Sequence, residues 1–256
     1  MWDNAIALIP SPMGWLLYFF CAMLIGTSKT GIQNVGTLAV PLFALLFGAK
    51  YSTGIVLILL CIADLIAVIY YRKQFNWQEV KKLLPFAIIG LLIGLFTGEH
   101  IDDRIFKMLM GACIILGVAI MLWGQRVAKK QSGLDLTKKW WYSPVFGLIT
   151  GFSTMIGNAA GPTLTVYLFS KKLDKFTLVA TGAWFIMILN FSKIPLQLFV
   201  WKNLSWEGFI LNLLAVPFIL LGGFIGIKLV KILPEREFRI IILSLVVLSA
   251  LLLILL

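Results

Sequence analysis

Two short polar segments interrupt an otherwise apolar chain at corresponding points of its two halves: Gly26–Thr37 (GTSKTGIQNVGT) and Gly151–Thr163 (GFSTMIGNAAGPT). Inside a bilayer, backbone that leaves the helix finds no water to replace its lost hydrogen bonds. It is tolerated only where it is buried in protein or lines a wet cavity. Paired interruptions in equivalent positions of two halves point to the binding site of a secondary transporter.

Composition supports the membrane assignment. Of the 256 residues, 61% are apolar and 13% charged. A soluble domain of this size would expose large apolar patches. Runs of spanning or near-spanning length lie at 53–71, 83–98, 105–123, 176–200, 208–227 and 237–256, and the stretches 12–48 and 143–169 carry the interruptions. No Lys or Arg precedes the first apolar run, so the n-region of a signal peptide is missing and Met1 is expected to belong to the mature protein. Cys21, Cys61 and Cys113 each sit within an apolar run without C-x-x-C spacing, as small core residues do.

A net charge of +11 would suit a nucleic-acid binder, but its distribution speaks against one. If each interrupted stretch turns back to its starting side, the loops 72–82, 124–142, 170–175 and 228–239 share one side and hold 4, 5, 3 and 4 Lys/Arg, or 16 in total. The other side holds Lys50, Arg104, Lys107 and Lys202, or 4. If each stretch crosses once, the count becomes 10 against 10. The positive-inside rule selects 16 against 4. The expected fold is therefore an all-α polytopic membrane protein of two inverted repeats, each a broken or re-entrant hairpin followed by three transmembrane helices. The expected organisation is a first repeat at 1–123, a cytoplasmic linker at 124–142 and a second repeat at 143–256. Both termini then face outward from the cell inner membrane.

The halves also align residue on residue. Gly26 and Ser28 fall on Gly151 and Ser153, and Asn34 on Asn158 after a one-residue gap. At an offset of 129, Trp77 meets Trp206, Gly94 meets Gly223, and Asp64 meets Lys193. Trp77, Trp141, Trp201 and Trp206, at helix ends, read as interfacial anchors. Gly90/Gly94/Gly98 and Gly222/Gly223/Gly226 read as helix-packing positions.

Half-helices beginning near Val35 and near Ala159–Gly161 would aim their N–H groups and positive dipole ends at one central place, which favours a small anion. Ser28, Thr30, Gln33, Asn34, Thr37, Ser153, Thr154 and Asn158 would supply neutral donors, with glycines admitting close backbone approach. Lys29 and Lys193 are ammonium groups at membrane depth, where charge costs about 2.5–3.5 kcal/mol and is usually partnered or functional. The plainer alternative is that the small residues only let helices pack closely, which leaves Gln33, Asn34 and Asn158 unexplained. Asp64 and Lys193 either pair with each other structurally or divide the work, Lys193 attracting substrate and Asp64 carrying a coupling proton. Asn190 and Ser192 add polarity beside Lys193.

His100, the one histidine, lies in the outer loop Glu99–Asp103 and reads as a solvated loop residue rather than a metal ligand. No nucleophile–base set, carboxylate pair, phosphate loop or dinucleotide pattern stands near the interruptions, so neither an enzyme nor ATP-driven pumping is expected, and no cofactor or metal is called for.

At these residues the chain resembles the sulfite exporter TauE/SafE family of membrane permeases. The likeness covers about 14–256 and rests on the paired Gly/Ser/Asn interruptions, the short Trp loop of each half and the length. It implies transport of sulfur-containing anions such as sulfite or organosulfonates, with other small organic anions as an alternative. The family's interruptions are more glycine-rich than Thr27-Ser28-Lys29 and Ser153-Thr154. An anion channel with the same site is the rival reading, which flux against a counter-gradient would separate.

Overall fold

The computed structural model describes residues 2–32, 34–129, 139–234 and a few positions between 236 and 244. Gln33, residues 130–138 of the linker and most of the last apolar run lie outside the described residues. The chain is an all-α polytopic membrane protein. It runs α1 (Trp2–Ala7), α2 (Pro12–Thr30), a 3-10 turn (Val35–Leu38) leading into α3 (Ala39–Phe47), α4 (Ala49–Tyr71), α5 (Trp77–Glu99) and α6 (Asp103–Lys129). It continues with α7 (Tyr142–Gly157), α8 (Gly161–Ser170), α9 (Lys175–Leu196), a π-helical segment (Gln197–Trp201) and α10 (Trp206–Ile232). Among the described residues, four helices are long and apolar enough to cross a membrane: α4, α5, α9 with its π-helical extension, and α10.

Four helices, α2, α5, α9 and α10, start at side-chain caps. Ser11 accepts from the Gly14 amide at 3.0 Å, Asn76 from Gln78 and Glu79, Asp174 from Phe176 and Thr177, and Ser205 from Gly208. Each satisfies a first-turn N–H that has no partner within its own helix. α4 is capped from a distance: Asp103, at the start of α6, accepts from the amides of Ala49 at 3.2 Å and Lys50 at 2.7 Å.

Both interrupted stretches are helical hairpins. Leu46 packs beside Gly14, and Gly36 beside Ser28, so α3 runs back along α2. The Ser143 and Tyr167 hydroxyls meet at 2.9 Å, so α8 runs back along α7. The open end of the first hairpin sits with Asp103 and the C-terminal end of α5. That of the second sits with Glu79 at the N-terminal end of α5, where Tyr167 donates to the carboxylate at 2.6 Å. The hairpins therefore open at opposite ends of the bundle, and their tips meet inside it.

The halves interlock through small residues. A Cβ on Gly26 would strike the Ile219 carbonyl of α10, and one on Gly222 the Met23 carbonyl of α2. The same relation joins Gly151 to Ala87 and Gly90 to Leu148 across α7 and α5. Thr27 and Thr30 add hydroxyl bonds to the carbonyls of Gly222 at 3.1 Å and Gly223 at 2.8 Å. Without a hydrophobic force between helices in lipid, such close backbone contact and interhelical bonding hold a bundle together.

Two expectations need correction. Gly26 and Gly151 lie within α2 and α7, which continue to Thr30 and Gly157, so these glycines serve helix packing and the interruptions proper begin only after Thr30 and Gly157. Trp201 is no membrane-interface anchor: it is buried, its Nε1 donates to the Leu95 carbonyl at 3.0 Å, and its ring meets Phe106 edge-on. Trp77 and Trp206 remain exposed.

Candidate functional site

Each hairpin tip turns on an asparagine in the left-handed region, Asn34 at φ 76° and Asn158 at φ 52°. Asparagine tolerates this conformation because its short polar side chain bonds locally, whereas most L-residues meet a steric penalty there. The chain then re-enters helix at Val35 in one hairpin and at Gly161 in the other. The tips touch: Asn34 Nδ2 donates to Thr165 Oγ1 of α8 at 3.0 Å, and a Cβ on Gly161 would collide with Asn34 Oδ1.

Between the tips is a cavity of about 70 Å³. Its polar wall comes from Ser28, Lys29, Asn34, Thr37, Thr154, Asn158 and Asn190. Val40, Val56, Leu60, Leu164 and Ile186 form the apolar part. Gly36, Ala160 and Gly161 also line it, so the first turns of both returning half-helices face this space. Helix N-termini carry a partial positive charge and N–H groups lacking intrahelical partners. The volume suits a few waters or one small oxoanion.

Two cations stand at the wall in different company. Lys29 Nζ lies 2.7 Å from Asp64 Oδ1, and Asn190 Nδ2 donates to the other carboxylate oxygen at 2.6 Å. Lys193, fully buried, donates to Asn158 Oδ1 at 2.5 Å, the Thr154 carbonyl at 3.0 Å and Thr154 Oγ1 at 3.3 Å. Three acceptors match the three N–H bonds of an ammonium. Asn158 Nδ2 in turn donates to the Thr53 carbonyl of α4 at 3.2 Å, so its amide oxygen is the one turned to Lys193. The formal charges of Lys29, Asp64 and Lys193 sum to +1, and a net-positive cavity with two helix N-termini attracts anions.

Of the two readings open for Asp64 and Lys193, the direct ion pair does not form. Asp64 binds Lys29 from the neighbouring hairpin, and Lys193 reaches into the second hairpin instead. Of the other predicted residues, Thr30 turns away, bonding to the Gly26 and Gly223 carbonyls, and Ser153 is buried beside Cys113 outside the cavity lining. Lys193 acts from behind Asn158 and Thr154 rather than at the surface of the cavity. Sequence reasoning underrated Asn190, which both lines the cavity and holds Asp64; its place three residues before Lys193, on one helix face, was the available signal. Among the described residues no group of three His, Cys, Asp or Glu side chains gathers, and His100 stays at the end of α5 with its ring nitrogen 2.8 Å from the Phe96 carbonyl.

Residues 17–253 match the family described as "Sulfite exporter TauE/SafE". The chain is 25% identical over 202 residues to the "Probable membrane transporter protein MamO" of Paramagnetospirillum magneticum, covering 64% of this chain and 32% of that protein. The protein of the same description from Magnetospirillum gryphiswaldense is 23% identical over 202 residues, with the same coverage. The chain thus spans about a third of the length of these curated relatives. No solved structure matches.

Proposed function

The chain belongs to the sulfite exporter TauE/SafE family of membrane transporters, and from that premise we propose that it is a secondary transporter of a small sulfur-containing anion, such as sulfite or an organosulfonate. The anion would bind between the two hairpin tips. One observation carries this reading: Lys29 and the first turns of two half-helices line a single cavity of oxoanion size, and Lys193 stands directly behind its Asn158 and Thr154 wall. Ser28, Asn34, Thr37, Thr154 and Asn158 would supply its neutral hydrogen bonds.

In this reading the hairpins belong to inverted halves, 1–123 and 143–256, with the linker 124–142 in the cytoplasm and both termini outside the inner membrane. The 16-to-4 charge distribution supports that orientation, and the opposed hairpin openings support the inverted relation of the halves. Export fits the inside-negative potential, which drives an anion outward at about 2.3 kcal/mol per charge per 100 mV. Purified protein in liposomes loaded with sulfite, thiosulfate, sulfoacetate, taurine or acetate tests the proposal. Saturable efflux of a sulfur oxoanion or sulfonate is the expected result. Efflux of none of them above protein-free liposomes would refute it. Labelling of a cysteine placed at Lys172 from the outside would refute the orientation alone.

A further inference from the structure

Lys29 stands between the Asp64 carboxylate and the cavity. Its side chain is 13% exposed and lines the cavity, while Asp64, its partner at 2.7 Å, is fully buried and does not. The ammonium can serve an anion in the cavity only by loosening its hold on Asp64. A carboxylate left unpaired in the bilayer interior carries a large desolvation penalty, which a proton removes. Asn190 stays bonded to Asp64 at 2.6 Å and can orient the acid as it oriented the carboxylate. Lys193 is differently placed: its three acceptors are neutral, so an approaching anion need not displace a carboxylate to feel its charge.

The formal charges then separate two classes of ligand. At rest Lys29, Asp64 and Lys193 sum to +1. A monoanion brings the site to zero with the ion pair intact. A dianion would leave it at −1, and one proton on Asp64 restores zero while freeing Lys29 to bind. The fixed partial charges of the half-helix ends favour anions of either kind. We propose that the site takes a divalent sulfur oxoanion together with one proton, which resides on Asp64 while Lys29 turns to the anion. The inference rests on the anion-transport reading and adds the valence of the substrate and the coupling ion.

Among the described residues, no other charged group competes for this role. Asp64 faces Lys29 from α2, Lys193 and Asn190 from α9, and the Cys61 thiol on its own helix. α3 has no charged residue, and those of α10 (Glu207, Lys228 and Lys231) and of α6 lie toward the helix ends.

Calorimetric titration of the full chain in detergent tests this, in two buffers of different ionisation enthalpy at pH 7.5. The probes are thiosulfate and sulfate, dianions that hold no proton at that pH, and methanesulfonate, a monoanion. The expected result is about one proton taken up per dianion bound and about none per methanesulfonate. Dianion affinity should weaken up to tenfold per pH unit on the alkaline side. Asp64→Asn should bind the dianion with no proton uptake and lose that pH dependence. Lys193→Met should keep the proton count of whatever dianion it still binds. Dianion binding by the unaltered protein without proton uptake overturns the proposal, as does uptake that survives Asp64→Asn or disappears only in Lys193→Met. Binding of methanesulfonate but of neither dianion overturns the valence assignment and leaves the anion site standing. Binding of no anion removes the transport reading itself.

Discussion

The two hairpins present the same geometry with opposite placement of charge. Lys29 and Thr154 hold corresponding positions near the tips, 125 residues apart, and Asp64 and Lys193 hold corresponding positions on the helices behind them, 129 apart. In each half the tip residue contacts its own helix partner: Lys29 with Asp64 at 2.7 Å, Thr154 Oγ1 with Lys193 at 3.3 Å. The first half spends its cation on a carboxylate; the second leaves its cation among neutral oxygens. A shared scaffold with unlike charges makes one side of the cavity self-neutralised and leaves the other with a lysine that has no carboxylate partner.

The largest effect expected from this contrast is on stability. Lys29→Met strands a buried carboxylate and should cost about 3–5 kcal/mol, the range for breaking a buried pair from one side. Adding Asp64→Asn should return most of it. Denaturation of the single and double variants in detergent checks this, and a single variant as stable as the parent would dissolve the pairing argument. Lys193→Met leaves no carboxylate behind, only unpaired oxygens on Thr154 and Asn158, so about 1–3 kcal/mol is expected. Its anion flux in liposomes should nonetheless drop at least tenfold, and Asp64→Asn should rescue neither loss. Full recovery in that double variant would restore the structural Asp64–Lys193 pair, one of the two readings open from the sequence.

Smaller effects should arise at the tips. Asn34→Leu and Asn158→Leu each place an apolar residue in left-handed backbone, at about 1–2 kcal/mol, and each removes a cross-tip or cross-helix bond. Anion affinity should fall in both, more in Asn158→Leu because that side chain also accepts from Lys193. Equal affinity in both variants and the parent would move the site elsewhere.

The smallest effect lies outside the membrane, at the Asp174 cap of α9. Burial pushes this carboxyl up, but bonds from the Thr177 hydroxyl and the Thr177 and Phe176 amides outweigh it and hold the group below its ordinary value of 3.8. A depressed folded value means stabilisation is present above the ordinary carboxylate range and is lost as pH falls through the folded value. Asp174→Ala should therefore lower stability by about 0.5–2 kcal/mol at pH 7, with the difference shrinking below about pH 4. A difference that does not change between pH 7 and pH 3 would show that the charge contributes nothing.

Much of the architecture was legible from local pattern. Apolar runs predicted α4, α5, α6, α9 and α10 nearly in place, because a membrane helix must be continuously apolar and satisfies its backbone internally. The hairpin tips were legible to within a few residues because Asn34 and Asn158 stand in glycine-rich polar segments, although α2 and α7 run on through most of each segment to Thr30 and Gly157. Gly90, Gly94, Gly222 and Gly226 were recognised as packing positions from spacing alone. Less was legible in the site: Thr30 and Ser153 share the polarity of their neighbours but point elsewhere, since helical rotation decides which face a residue presents.

The sequence by itself determined that the chain is a helical membrane protein with two polar interruptions, and that two lysines and an aspartate lie at membrane depth. These follow from composition and periodicity, which are local properties of the chain. Only the tertiary structure decided which lysine Asp64 binds. The offset between halves aligned it with Lys193, but alignment relates positions that are equivalent in two halves, not positions that touch. Hairpin one folds Lys29 back onto α4, hairpin two carries Thr154 and Asn158 to Lys193, and the partners were settled by those two chain reversals.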